Sequence, residues 1–502
     1  MNRRIICLLA LLSVVPSSCK KFLDVKPLDR LSGNAFLQTK QDVENNLWDT
    51  YGLLRDKLGS CPFLPNAGDV RSGMMAESPE EKQRNYVHFV SENDLANFIA
   101  IRGNDGLYHW NELTKWQGFY KVIQAANNLY YELGVRKIGG VSEAQAKAYQ
   151  AEAVFLRCVT YWIMIRVWGD VPYYTDAYHI DPLPRENHVT VAKNCLDDLM
   201  KVKDDLPWNY GNAAYLGVRA TKGALLTLIM ELDAWAAGFD KANAKKYFQQ
   251  AVDAGTEVVN SGQYSLLPLS EYRQLFQGRT RESLFEIAQN SNYNEVIRYN
   301  TFSDLVLHFP YKRPVATHQW SYSYYRASFL TMLFPPGSPD GRTQVWFDEN
   351  MFADNGDFQY LKFVNIYAIT DDEDYNPDGN VIIFRYADAL LLLAEALAEV
   401  GGRDDDAMAR LNEVRTRAFA APVSGLTGEA LKDAIFAERA RELMGEGHYF
   451  FDLVRTGRIF SSKWTYRPFT QLQFDQGGWT WPLDASVQNQ NPYIQLNLYW
   501  LK

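Results

Sequence analysis

Helical periodicity is the feature of this sequence that most limits its fold. In residues 42–58, apolar side chains at Val43, Leu47, Tyr51 and Leu54 recur at helical spacing and share one face. Similar stretches, bounded by Gly, Pro or Asn, follow at residues 110–133, 142–168, 189–206, 220–237 and 243–261. Helix pairs that recur every roughly 30 to 40 residues are typical of tetratricopeptide-like units, whose stacked faces bury one core. The pattern predicts a mainly α fold on a tetratricopeptide-like helical-pair scaffold.

A second helical block lies near the C-terminus, beyond an irregular middle. Helices are predicted at residues 384–400, 405–419, 429–444 and 449–456. Between residues 262 and 383 helical periodicity fails, and only short candidate strands occur, at 283–289 and 381–384. Irregular segments on a rigid scaffold commonly carry binding residues. We predict a single domain over residues 42–502, with its helical scaffold at about 42–261 and 384–460 and a loop-rich ligand region at about 262–383.

The N-terminus has the pattern of a bacterial lipoprotein signal. Basic residues near the start precede an apolar run, residues 5–15, which is too short to cross a bilayer. Small residues directly before Cys19 are typical of proteins in which the cysteine is acylated after cleavage. The acyl chains on one such cysteine can hold a soluble body on a membrane. We predict a signal peptide over residues 1–18, lipidation of Cys19 and a tether over residues 19–41.

Charge and cysteine content exclude several classes of protein. The net charge is −9 and the basic residues are scattered, so no basic stripe is present and nucleic acid is not an expected partner. Cys61, Cys158 and Cys195 lack the spacing of a disulfide framework or a zinc site. Aromatic residues make up 14% of the chain. Flat rings stack on sugar faces or peptide side chains, so this content is compatible with a ligand surface and equally with an aromatic core.

Several short motifs carry a family resemblance through their order along the chain. They occupy residues 18–24, 151–157, 168–172, 385–388, 394–396, 411–415, 438–443 and 452–457. Through these motifs the chain resembles the SusD/RagB family of Bacteroidetes lipoproteins. The resemblance implies a lipid-anchored protein on the cell surface at the outer membrane, paired with a SusC-like TonB-dependent transporter. It implies binding of an oligosaccharide or polysaccharide without cleavage; an oligopeptide is the alternative ligand within the same family.

Aromatic residues in the irregular middle are the candidates for a ligand platform. The segment 311–325 contains Trp320, Tyr322, Tyr324 and Tyr325, where no helical period forces them inward. A sugar ring stacks its C–H face on Trp or Tyr, while its hydroxyls need amide or charged side chains at the edge. The resemblance places the site where this segment meets an early loop, so the candidates for that edge are Tyr293, Asn292, Asn294, Asp69 and Arg71. The alternation at Trp320, Tyr322 and Tyr324 also fits a strand with one buried face.

An enzymatic function is the least favoured hypothesis. Glu438, Glu442 and Glu446 recur at a spacing of four, and a surface glycosidase needs paired carboxylates. Those two carboxyl groups must face each other across the scissile bond, whereas this row follows one helix stripe beside arginines. We therefore predict structural ion pairs, no catalytic residue, and a structural role for His448, which has no triad or metal partner at suitable spacing.

A weak calcium pattern is present, and no cofactor is expected to be required. Asp374, Asn376 and Asp378 match the first oxygen positions of a calcium loop, and a glycine follows at the sixth position. The twelfth position is Arg385, where such a loop needs a bidentate Glu. An acidic solvated turn is thus the better interpretation, and any Ca²⁺ bound here would need ligands from other segments.

Overall fold

A computed structural model of the chain describes residues 37–79, 86–95, 97–98, 109–290, 302–311, 321–348, 350–355, 358–364 and 379–501. The fold is mainly α, as predicted. Its long helices are α1 (Lys40–Leu58), α2 (Gln117–Val135), α3 (Glu143–Trp168), α4 (His188–Val202), α5 (Lys222–Phe239), α6 (Ala244–Asn260), α7 (Tyr386–Val400), α8 (Asp404–Arg417), α9 (Gly428–Glu442) and α10 (Tyr449–Thr456).

Local capping groups set the beginnings of several helices. Ser142 accepts a hydrogen bond from the backbone N–H of Gln145, whose side chain accepts from the Ser142 N–H in return, and this capping box begins α3. Thr39 and Asp42 form the same arrangement at α1. Gly169, with φ of +72°, follows the last residue of α3. The predicted bounds of α3 are therefore confirmed within one residue.

Consecutive helices of the scaffold pack against one another. Helix α2 packs on α3, α3 on α4, α4 on α5 and α5 on α6, and α6 then packs on α7 of the C-terminal block. Because α3 is covered by neighbours on both sides, its side chains from Ala151 to Trp168 are all buried. The two helical blocks thus form one continuous packed array, which matches the helical-pair scaffold predicted from spacing.

A buried charge pair ties α3 to its surroundings. The guanidinium of Arg219 donates from Nε and Nη2 to the two carboxylate oxygens of Glu152, each at 2.8 Å. The hydroxyl of Tyr51 on α1 donates to the same carboxylate at 3.0 Å. Glu152 has no exposed surface, so these bonds replace the water that its charge would otherwise require.

The middle of the chain contributes short elements only. Two antiparallel two-stranded sheets form: β1 (Met75–Glu77) pairs with β3 (Ser323–Tyr325), and β2 (Ser283–Ile287) pairs with β4 (Val381–Arg385). The strands predicted at 283–289 and 381–384 are therefore confirmed, and they pair with each other. Short helices lie at Phe63–Gly68, Tyr86–Ser91, Tyr272–Gln277, Phe302–Val306, Ala327–Leu333, Arg342–Val345, Gln471–Asp475 and Ala485–Gln490.

No helix in the described ranges is both long enough and apolar enough to cross a membrane.

Candidate functional site

The two regions expected to form the ligand site lie side by side. In the β1–β3 pair, Met75 stands opposite Tyr325 and Glu77 opposite Ser323. The pairing continues past the strand ends, since the backbone N–H of Ser78 donates to the carbonyl of Tyr322 at 2.9 Å. The early segment and the aromatic segment therefore meet, although they lie about 250 residues apart in the chain.

Asp69 lies inside the protein, not at a ligand edge. Its carboxylate accepts hydrogen bonds from the backbone N–H groups of Gly445 at 3.0 Å and Gly447 at 2.6 Å. The side chain is 2% exposed, and its burial raises the pKa to about 7. The expectation that Asp69 contacts ligand is wrong for this structure, because both of its oxygens hold a loop of the scaffold.

Arg71 is likewise part of the core. Its Nη2 donates to the carbonyl of Gly478 at 2.7 Å, and its guanidinium lies over the rings of Phe450 and Trp481. Burial lowers the pKa of Arg71 to about 9. An arginine enclosed between two rings cannot reach a sugar at the surface, so this second expectation for the early loop is also wrong.

The three tyrosines of the predicted platform point into the protein. Tyr322, Tyr324 and Tyr325 are 5%, 7% and 1% exposed. The ring of Tyr325 stacks on Phe329, and the hydroxyl of Tyr324 donates to the carbonyl of Asp354 at 2.9 Å. Their ring faces are occupied by protein atoms, so they do not form an open stacking surface. The alternative of a strand is confirmed for Ser323–Tyr325, but the strand is buried on both faces and not on one.

The other predicted site residues lie outside the described residues. This applies to Trp320, to Asn292, Tyr293 and Asn294, to the calcium candidates Asp374, Asn376 and Asp378, and to Cys19. The described residues next to two of these groups in the chain contact each other: the side-chain amide of Gln289 donates to the carbonyl of Gly379 at 2.5 Å.

A small cavity of about 80 Å³ lies next to this junction. Its walls are largely apolar, with Leu64, Phe276, Phe302 and Phe363 among them, and Gln289 contributes polar atoms near the junction. Concave apolar walls with a few polar groups are the usual composition of a small-molecule site. The described residues thus provide a hollow beside the predicted ligand region.

The row of glutamates is a buried ion network. Glu438 pairs with Arg342 at 2.7 Å, Glu442 pairs with Arg342 at 2.8 Å, and Glu446 pairs with Lys362 at 2.7 Å. The pKa of Glu438 falls to about 2, against the opposing effect of burial, because Arg342 and two further arginines surround it. Carboxylates in such pairs are held ionised and cannot donate a proton to a leaving group. The predicted ion pairing is confirmed, although most partners come from outside the helix.

One further group of acids and a histidine was not found from the sequence. Within the described part of the chain, Glu231, Asp388 and His448 offer ligand atoms within 4.8 Å of one another, all buried. Arg439 donates to Asp388 at 2.7 Å and therefore already supplies positive charge to this group. The pKa of His448 falls to about 3 because burial and neighbouring arginines oppose protonation. We interpret this group as structural, since a cation would have to share the space with a guanidinium.

Family models match most of the chain in two parts. A model described as the SusD family matches residues 348–500, and a model described as "Starch-binding associating with outer membrane" matches residues 21–231. Both matches cover motifs on which the resemblance rests.

Individual relatives match along nearly their whole length. A solved structure of a SusD homologue from Bacteroides thetaiotaomicron is 37% identical, with a TM-score of 0.84, over 92% of this chain and 98% of that chain. The starch-binding protein SusD from the same species is 24% identical over 91% of each chain. The structure of surface glycan-binding protein A from Bacteroides uniformis shares the fold at 21% identity, with a TM-score of 0.71 over 92% of this chain and 100% of that chain.

Proposed function

The chain belongs to the SusD/RagB family, and on that premise we propose that it binds oligosaccharides or polysaccharides at the cell surface and delivers them to a SusC-like TonB-dependent transporter. The observation that carries this proposal is the match to a SusD homologue at 37% identity over 98% of that chain. The printed names of other relatives, a starch-binding protein and a surface glycan-binding protein, support a glycan as the ligand. The alternative that the ligand is an oligopeptide is distinguished by the binding test described below.

We propose that the protein does not cleave its ligand. In the described ranges, the acids that resemble a catalytic row are buried and paired with arginine or lysine. A glycosidase needs one carboxyl group able to give up a proton beside the bound sugar, and ion-paired groups without solvent contact do not meet that requirement.

The ligand platform is proposed to centre on Trp320, with Tyr293, Asn292 and Asn294 at its edge. Support comes from their described neighbours in the chain. Ser321, which follows Trp320, is buried beside His308, with 3.1 Å between its Oγ and the ring Nδ1. The described chain is therefore held in the fold as far back as Ser321. The tyrosines at 322, 324 and 325 are no longer part of the proposed platform, because they are buried in the protein.

The anchor is proposed to be an acylated Cys19 in the outer membrane, in agreement with the outer-membrane description of the family model that matches residues 21–231. A bound Ca²⁺ at Asp374, Asn376 and Asp378 also remains a proposal. It predicts that adding EDTA weakens glycan binding and that adding Ca²⁺ restores it, and equal affinity in both conditions would contradict it.

The central test is a glycan panel with the protein lacking residues 1–19. Calorimetry and product chromatography are run on the wild type, on Trp320→Ala and on Trp208→Ala, a matched loss of one indole from a half-buried position in the helical block. We expect binding without product, lost in Trp320→Ala and kept in Trp208→Ala. Binding of peptides in place of glycans, or release of shorter sugars, would overturn the proposal. Co-purification with a SusC-like transporter from outer membranes tests delivery.

A further inference from the structure

A second cleft lies on the protein, and the described residues predicted to bind ligand do not line it. It has a volume of about 600 Å³, within the usual range for small-molecule sites. One wall is the turn after α3 and the start of α4, from Gly169 to His188, and the other is the C-terminal region, residues 474–498. Its walls thus differ from the segments of Asp69, Tyr322, Tyr324 and Tyr325, the described candidates that the lining does not include.

His188 presents a hydrogen-bond donor to the cleft. Its Nδ1 accepts from the indole N–H of Trp235 at 3.1 Å, so the proton of the neutral ring resides on Nε2. Burial lowers the pKa of His188 to about 4, which keeps the ring neutral. The side chain is 8% exposed and lines the cleft, and its Nε2 has no hydrogen-bond acceptor among the described residues. This N–H is therefore available to an acceptor that enters the cleft.

Trp479 provides a second donor beside the first. Its ring packs against His188 and Trp235, with centroids 5.5 and 5.6 Å apart, and it is 5% exposed. The six-membered ring of its indole faces Gly169 in the cleft wall, where an added Cβ would lie 3.5 Å from Cη2 and 3.7 Å from Cζ2. In the part of the chain that the structure describes, the indole N–H donates to no side chain or carbonyl.

The charges in the cleft favour a neutral ligand. Arg185 is its cation, and all three of its nitrogens donate to backbone carbonyls, those of Asp170, Gln495 and Trp168, at 2.6–2.8 Å. Asp170 and Asp475 also line the cleft and offset the charge of Arg185. The cleft therefore has no excess positive charge that would attract an anion.

Amides and an exposed ring complete the lining. Asn187, Gln476, Gln495 and Asn497 line the cleft. The side-chain carbonyl of Asn187 caps α4 and the amide of Asn497 donates to Thr480, so their remaining amide atoms are the ones open to a ligand. Tyr493, 57% exposed, offers a ring face at its edge. Buried N–H donors, amides that both donate and accept, and an open aromatic face together match a ring that carries hydroxyl groups and C–H faces.

We propose that this cleft binds a short stretch of neutral saccharide, one or two rings long, as a second site. The inference rests on the proposed function for the choice of saccharide as ligand class, but it concerns different residues. Sugar hydroxyls accept from His188 and Trp479 and bond the amides, while the ring stacks on Tyr493. Two sites on one chain raise the apparent affinity for a polymer that reaches both, without any new contact at either.

The test uses ¹⁵N-tryptophan-labelled protein lacking residues 1–19, titrated with glucose, galactose, mannose, xylose, maltose and cellobiose. The indole N–H signal of Trp479 is assigned by its loss in Trp479→Phe, which keeps the ring packing. We expect one or more of these sugars to shift that signal, and we expect about three- to tenfold weaker binding in Trp479→Phe, the loss from one neutral hydrogen bond. Tyr493→Ala should weaken binding similarly, and Tyr131→Ala, a matched exposed tyrosine on α2, should not.

The outcomes separate this inference from the proposed function. A shift at Trp479 that persists in Trp320→Ala supports an independent second site. Polysaccharide binding with no response at Trp479 to any of the six sugars would refute the second site and leave the proposed function intact. A response to a neutral tripeptide such as trialanine, with none to the sugars, would replace the saccharide by a peptide segment and overturn the inference.

Discussion

Removing the guanidinium of Arg385 tests the most highly connected part of the fold. This side chain, 1% exposed, donates to the carboxylates of Glu282, Glu442 and Glu446 and to the carbonyl of Glu442, at 2.7–2.8 Å. Arg385→Met keeps a long side chain in the same space but removes the charge and every donor. The substitution therefore leaves three buried acids with one cation fewer.

The size of the loss follows from the partners that remain. Removing one member of a buried ion pair costs about 3–5 kcal/mol, because the other charge stays buried without compensation. Here Lys362 still pairs with Glu446 at 2.7 Å, and Arg342 still pairs with Glu442 at 2.8 Å. We therefore expect the lower end of that range, about 3 kcal/mol of unfolding free energy.

Urea denaturation at pH 7.5 measures this loss, with Arg403→Met as the matched control. Arg403 forms an exposed pair with Asp406 at 2.8 Å, so its removal should cost less than about 1 kcal/mol. Similar losses in the two variants, or a loss below about 1 kcal/mol in Arg385→Met, would refute the reasoning that burial makes this network essential.

The pH dependence of the same variant gives a second check. Arg385 is the first of the charges that lower the pKa of Glu446 against the effect of burial. A carboxylate with a lowered pKa stabilises the fold above its ordinary pKa, and that contribution is lost as the pH falls. In Arg385→Met the pKa of Glu446 should rise, so protonation relieves the unpaired charge. The stability difference between wild type and variant should therefore shrink between pH 7.5 and pH 5.

Three further predictions concern other parts of the chain. Ser142→Ala removes the N-cap of α3 and should lower the unfolding free energy by about 1 kcal/mol in urea titrations; an unchanged midpoint would contradict the capping role. His448 has a pKa of about 3 in the fold, below its ordinary value, so it stabilises the protein above pH 6.5 and that contribution is lost as the pH falls; His448→Gln should show a shallower loss of stability than the wild type between pH 6.5 and 5, and parallel curves would argue against a neutral buried ring. Cys19→Ser should abolish labelling by radioactive palmitate and release the protein from the membrane fraction; a variant that stays labelled would exclude Cys19 as the anchor.

Helices and their ends could be read from the sequence, because the interactions that form them are local. A helix bonds residues four apart, and caps such as Ser142 bond residues three apart, so a short window of sequence contains the whole cause. The bounds of α10 were predicted without error, and α3 within one residue. The paired strands were also predicted, since short apolar runs between turns are a local pattern as well.

Burial of the candidate site residues depended on distant parts of the chain. The local sequence around Tyr322, Tyr324 and Asp69 does not indicate whether these side chains face solvent or the core. Their burial follows from the β1–β3 pairing and from Gly445 and Gly447 closing over the Asp69 carboxylate, contacts between segments hundreds of residues apart. No local sequence pattern indicates which distant segments will pack against each other.

The sequence by itself determined the helical scaffold and the family motifs, since each is a property of neighbouring residues. Tertiary structure alone decided which polar groups became structural and which were left facing a cleft. Arg385 joins three acids from two distant segments, and His188 meets Trp479 across almost 300 residues of chain. A side chain's function depends on its water access and its partners, and both are set only when the whole chain has packed.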